Sequence, residues 1–282
     1  MARERTGAGT PSARRKRKET MRRSIHRLNA GTIEVDSGDF VQYRDLGTRI
    51  RIPTYAYLIE DDGATGAVLV DTGAEDTDEI VTELKRLGLS PADIRTVIFT
   101  HLHFDHVGGA AIFPLSTIFA VNRRELEFAA GGMTRQEYRL ADIELLLDRT
   151  HIPGAMWFFD LQGYERQQIL PGVFVARAGG HTEGSINVFV ETSDGIACLC
   201  GDVIQDVEAQ VVAPPFQVNH REPRMAGNSA VSQADERSAM KALLGHASWL
   251  LPAHEKGFKI EQGRVVGRLS GARAPGPVEP LK

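Results

Sequence analysis

Between Thr100 and His106 the chain reads Thr-His-Leu-His-Phe-Asp-His, three histidines and an aspartate within six residues. The run Thr96-Val97-Ile98-Phe99 comes directly before it, β-branched and aromatic with no helical period, as in a buried strand. The cluster therefore falls at a strand end and on the turn beyond it. Gly108-Gly109 follows and permits a tight bend close to a site. Imidazole and carboxylate are the donors that borderline divalent metals such as zinc prefer. On extended chain His101 and His103 point the same way, because side chains repeat every second residue, so the pair can share one metal. Asp105 and His106 lie past the bend and can serve a second. For His26, His151, His220 and His246, isolated in the sequence, the ordinary reading is a packed or solvated ring.

Other stretches carry a similar logic. Ala67-Val68-Leu69-Val70 is an apolar strand ending in Asp71-Thr72-Gly73, and Ile196 to Cys200 is another ending in Gly201-Asp202. Gly180-His181-Thr182-Glu183-Gly184-Ser185 is a glycine-bounded loop with one histidine, and Pro252-Ala253-His254 closes a short apolar run. In this order, over roughly residues 30 to 265, these stations resemble those of the metallo-β-lactamase superfamily. The resemblance implies an α/β chain of α+β type, an αβ/βα four-layer sandwich of two mixed β-sheets flanked by helices. Periodicity alone shows only mixed helix and strand.

Carried over residue by residue, the resemblance implies that His101, His103 and His181 hold one divalent metal. Asp105, His106 and His254 would hold another, with Asp202 bridging and Asp71 supporting the shell through hydrogen bonds. The expected ions are zinc, with iron, cobalt or manganese as alternatives. A water held by such a pair ionises near neutrality, and the ions polarise a carbonyl and receive the leaving alkoxide. Asp105 could also steer protons between water and leaving group. In the redox branch, the flavin-linked di-iron proteins, a glutamate stands at the position of His103. The histidine here favours hydrolysis.

Among hydrolases the chain is most similar to the N-acyl homoserine lactonases, through His-Leu-His-Phe-Asp-His, the Asn122 to Glu127 segment and Pro-Ala-His-Glu-Lys-Gly-Phe. The expected substrate is a small lactone or related carboxylic ester. Those lactonases carry a tyrosine three residues after the bridging aspartate, hydrogen-bonded to the substrate carbonyl. Here the residue is Gln205, whose amide can still donate, so Gln205 joins Asp105 as a candidate catalytic residue. A glyoxalase-II-like thioesterase and a phosphodiesterase of the same fold are the alternatives.

Composition sets the remaining bounds. The 282 residues suffice for one large α/β domain, and no apolar run approaches the ~20 residues that span a membrane. Cys198 and Cys200 are poorly placed to bridge each other and read as small buried residues, which suits a cytoplasmic home. Residues 1–23 hold nine Lys/Arg against Glu4 and Glu19, whereas the rest holds 24 basic and 35 acidic residues. The head reads as a disordered basic tail, with Met21 an alternative start. The acidic body argues against nucleic acid as a partner, and a homodimer is left open.

The main domain is expected over residues 24–270. Thr77 to Leu87 has helical spacing, with Thr77 as cap and Ile80, Val81, Leu84 and Leu87 as its apolar stripe. Asn122 and Glu125 fit a capping box. Residues 131–165 read as an insertion beside the site, with Tyr138, Met156, Trp157 and Phe158 as candidates for an apolar substrate pocket. From Gly271 to Lys282, alanine, proline and glycine predict a loose tail.

Overall fold

The computed structural model describes residues 23–42, 44–60, 66–131, 137–212 and 222–281. The basic head up to Arg22, Met21 included, lies outside them, as do His220 and residues 132–136 of the expected insertion.

The first half supplies β1 (Ser24–Asp36), β2 (Arg49–Glu60), β3 (Ala67–Val70), β4 (Ile94–Ile98), β5 (Ile118–Asn122) and β6 (Met156–Phe159). The second supplies β7 (Gln167–Leu170), β8 (Val173–Arg177), β9 (Ile186–Thr192), β10 (Gly195–Gly201), β11 (Trp249–Pro252), β12 (Phe258–Glu261) and β13 (Arg264–Leu269). Two short strands end the chain, β14 (Arg273–Ala274) and β15 (Val278–Glu279). The helices are α1 (Ser37–Phe40), α2 (Asp78–Arg86), α3 (Phe104–Val107), α4 (Arg123–Ala130), α5 (Leu140–Thr150) and α6 (Gln233–His246).

The strands form a seven-stranded sheet, β14-β1-β2-β3-β4-β5-β6, and an eight-stranded sheet, β15-β13-β12-β11-β10-β9-β8-β7. In the first, β1 to β3 run antiparallel and β3 to β6 run parallel. In the second, only β10 and β11 are parallel, and α6 lies in the crossover between them. Alternation along each strand gives every sheet two buried faces. On β2, Tyr55, Tyr57 and Ile59 join the cluster between the sheets, whereas Ala56 and Leu58 join the outer cluster under α2, α4 and α5. On the other side Ala239, Met240 and Leu243 of α6 cover the outer face of the second sheet, over Cys198 and Cys200. Helix, sheet, sheet and helix make the four-layer sandwich.

Several local expectations change. Thr77 precedes α2 but makes no side-chain cap, and Val81 is 37% exposed, leaving Ile80 and Leu84 as the buried stripe. Of the expected loose tail, Lys282 lies outside the described residues, and residues 271–281 contain two short paired strands. Ile25 and His26 pair with Ala274 and Arg273, and Leu269 and Arg268 pair with Val278 and Glu279. Proline and glycine hide any period there, but a sheet edge offers backbone partners whatever the side chains are. Part of the 131–165 insertion is core: β6 pairs in parallel with β5, and Ile143 and Leu146 of α5 are buried.

Candidate metal centre

The parallel strands bring the chemistry together. Asp71 follows β3 and His101 follows β4, whose Val70 and Ile98 are register partners. In the other sheet Asp202 follows β10 and His254 follows β11, paired through Gly201 and Pro252. All four stand at carboxyl ends of parallel neighbours, where open α/β sheets place their sites. His181 arrives on the loop between β8 and β9, and Asp105 and His106 on the single turn of α3. Backbone bonds between the sheets hold this edge together: Ile186 N–H donates to Thr100 O at 2.8 Å and Tyr55 N–H to Ala253 O at 2.8 Å.

His101, His103, Asp105, His106, His181, Asp202 and His254 are all buried, and they converge in overlapping groups. His101, His103 and His181 form one set whose ligand atoms lie within 4.8 Å of one another; Asp105, His106 and His254 form another. His181 Nε2 is 3.1 Å from His103 Nδ1. Two nitrogens on one tetrahedral zinc would be about 3.3 Å apart, given Zn–N near 2.0–2.1 Å. Asp202 lies between the sets: Oδ1 is 3.1 Å from His106 Nε2 and 3.2 Å from His254 Nε2, and Oδ2 is 3.6 Å from His181 Nε2. Asp105 Oδ2 is 3.3 Å from His254 Nε2 and 3.7 Å from His106 Nε2.

This donor set fits divalent cations. His101 Nε2 is buried without a hydrogen-bond partner among the described residues. Burial, followed by the neighbouring rings of His106, His103 and His181, holds the His101 imidazole well below its usual pKa, in the neutral form that ligates. Burial alone would raise Asp202, but His254 and His106 outweigh it and keep that carboxyl well below the ordinary range. Two buried carboxylates among imidazoles demand positive charge, which ring protons or metal ions can supply in competition.

The supporting bonds are specific. Asp71 accepts from Thr100 N–H at 2.8 Å, from the Thr100 hydroxyl at 2.7 Å, and faces His106 Nδ1 at 2.9 Å. His254 Nδ1 is 2.9 Å from Pro53 O. In both rings the outer nitrogen is engaged, which turns Nε2 toward the centre. Glu125 is the residue that the sequence reading missed. Asn122 and Glu125 make no capping box: Asn122 donates to Gly184 O, and the Glu125 carboxylate is buried among four donors from three loops. Its place in a helix's first turn gave capping as the local reading; the only other signal was its position inside the lactonase-like 122–127 segment.

A cavity of about 230 Å³ opens onto His103, Asp105, Asp202 and His254. Its other walls include Ile33, Val35, Phe40, Ile52, Phe104 and Asn228. Of the predicted pocket residues, Tyr138 reaches the centre, its ring 4.8 Å from that of His103, but it does not line this cavity. Met156, Trp157 and Phe158 do not line it either. They form β6, with Trp157 against the inter-sheet cluster and edge-to-face with Phe159 at 5.3 Å, and Met156 and Phe158 on the outer one. Alternation along a strand sends this aromatic run to two cores rather than to one pocket. Gln205 borders the cavity yet is 1% exposed, and its Nε2 points to Asp202 Oδ2 at 3.2 Å and Asn228 Oδ1 at 3.3 Å. A carboxylate accepts only, so the amide N–H groups are taken up here and not turned to a substrate carbonyl as expected.

Comparison with known proteins agrees with this geometry. A sequence profile described as "Metallo-beta-lactamase superfamily" matches residues 49–246. The N-acyl homoserine lactonase AiiA of Bacillus thuringiensis subsp. kurstaki is 28% identical over 219 residues, covering 69% of this chain and 79% of that protein. A probable metal-dependent hydrolase from Staphylococcus aureus superposes with a TM-score of 0.68 at 21% identity, covering 86% of this chain and 95% of the other. AidC, a dizinc quorum-quenching lactonase, gives 0.63 at 16% identity, over 92% and 95%. At such identities the two structures speak for the fold. Among the described residues no helix is long and apolar enough to cross a membrane.

Proposed function

Because the chain belongs to the metallo-β-lactamase superfamily, we propose that it is a dinuclear metal-dependent hydrolase that opens lactones or cleaves related carboxylic esters. The observation that carries this reading is the placing of Asp202 between two ligand groups, within 3.1–3.6 Å of imidazole nitrogens from both. A carboxylate so placed could serve ions held by both groups. Five imidazoles and two carboxylates, with no thiolate among them, suit zinc first. When bound, the ions supply an acidified water and an electrophile for the carbonyl.

The chain's own groups do the rest. Asp71 and Pro53 O turn His106 and His254 inward, and Gln205 steadies Asp202. Asp105 borders the cavity and can move a proton from water to the leaving alkoxide. The cavity wall then argues for an uncharged substrate. Outside the ligand set, the charged side chains lining it among the described residues are Glu34, Asp36, Asp39, Glu137 and Arg49. The Arg49 guanidinium is turned to Glu34, donating to Oε1 at 3.2 Å and to its carbonyl at 2.8 Å. An acid-rich mouth disfavours the phosphodiester and glutathione-thioester alternatives, whose substrates are anionic.

Turnover of a panel of lactones, esters, thioesters and phosphodiesters by zinc-reconstituted protein tests the reading. Hydrolysis of neutral lactones or esters above the other classes is expected. Preference for a phosphodiester or a glutathione thioester would replace the proposal with the corresponding alternative.

A further inference from the structure

Glu125 sits in the first turn of α4, on neither loop that carries the clustered histidines, and is 1% exposed. Its Oε1 accepts the Leu102 N–H at 3.1 Å and the Tyr138 hydroxyl at 3.0 Å. Its Oε2 accepts the Thr182 hydroxyl at 2.8 Å and the Gly184 N–H at 3.1 Å. Leu102 lies between His101 and His103, and Thr182 follows His181. The first loop leaves the seven-stranded sheet and the second belongs to the eight-stranded one. One carboxylate therefore ties together two loops from opposite sheets.

The contact is close on every side. Asn122 Nδ2 donates to Gly184 O at 2.8 Å, and a Cβ on Gly184 would fall 2.2 Å from Glu125 N. Tyr138, whose hydroxyl meets Glu125, sets its ring against that of His103. His181 has φ +65°, a left-handed conformation that a non-glycine residue holds only where its surroundings enforce it. The bonds to Thr182 and Gly184 brace the chain just beyond it.

We infer that Glu125 is the positioning residue of the His101–His103–His181 triad, clamping two loops so that their imidazoles converge on one metal. It acts through Leu102, Tyr138 and Thr182. All four neighbours donate, so the role needs acceptors on both oxygens. Glutamine keeps the shape but puts an NH2 group against one of two backbone N–H groups, Leu102 or Gly184, neither of which can turn away.

The inference rests on the two-metal reading, and one experiment separates them. Metal-free protein is titrated with Zn2+ against a chromophoric chelator, and folding is followed by near-ultraviolet circular dichroism. Unmodified protein binding fewer than two equivalents would sink the two-metal reading itself. If it binds two, Glu125→Gln should bind one equivalent as before and the other about 10–100-fold more weakly, as for loss of an outer-shell partner. Thr182→Val removes one donor and spares the carboxylate, so it should weaken that same equivalent about 2–10-fold, and it serves if Glu125→Gln does not fold. Two equivalents at unchanged affinity in either folded variant, or equal weakening of both, would overturn the assignment.

Discussion

Replacing Asp71 by asparagine should disable one metal ligand without touching it. Asp71 is 3% exposed, at the end of β3, with φ +60°. Asparagine tolerates that left-handed conformation better than most residues, so little backbone cost confuses the result. The Thr100 N–H is fixed 2.8 Å from Oδ1 and keeps the amide oxygen there. The new NH2 group must then stand where Oδ2 accepts the Thr100 hydroxyl and faces His106 Nδ1. The hydroxyl can rotate; the ring cannot accept unless its hydrogen leaves Nδ1 for Nε2. Nε2 is the nitrogen 3.1 Å from Asp202 and 3.7 Å from Asp105, and once protonated it has no lone pair for a metal. Outer-shell changes of this kind cost 10–100-fold in affinity, about 1.4–2.7 kcal/mol. Chelator competition should show one zinc equivalent retained and the other weakened by that factor, the complement of the Glu125→Gln pattern. Two equivalents held as tightly as in the unmodified protein would refute the tautomer argument.

Three further outcomes follow from the same structure. Trp157→Ala should lower stability by up to about 3 kcal/mol in urea denaturation, because the side chain packs between sheets; the ratio of kcat/KM for long-chain and short-chain lactones should stay unchanged, and a selective loss for long chains would return Trp157 to the pocket. Among matched esters, a carboxylate-bearing one should be turned over about tenfold less efficiently than a neutral one at low salt, with the gap closing in high salt as the acids Glu34, Asp36, Asp39 and Glu137 are screened; an anionic substrate turned over as well as the neutral one would remove the argument from the cavity wall. Gly73→Ala should cost more than about 1–3 kcal/mol, since φ is +79° and its Cβ would fall 2.0 Å from Ala30 O; an unchanged urea midpoint would mean that this turn yields more readily than the close approach suggests.

The groups that converge in the centre were legible because their signals are local. An apolar run followed within a few residues by a histidine or an aspartate places a donor at a strand end whatever the rest of the chain does, and His101, His103, Asp71, Asp202 and His254 all arise that way. Helical spacing likewise marked α2. Contacts distant in sequence decided the rest. Glu125 looked like a helix cap because its sequence neighbours allow one; its partners Leu102, Tyr138, Thr182 and Gly184 are 13 to 59 residues away. Gln205 looked like a donor for substrate until Asp202 and Asn228 were seen to face its amide. The aromatic run of β6 went to the cores because β5 lay open for pairing, and Arg273–Ala274 joined β1 through backbone groups that carry no side-chain signature. Periodicity records which face of an element is apolar. Which element covers that face, and which donor meets a buried carboxylate, is chosen by packing among parts of the chain that no window of sequence holds together.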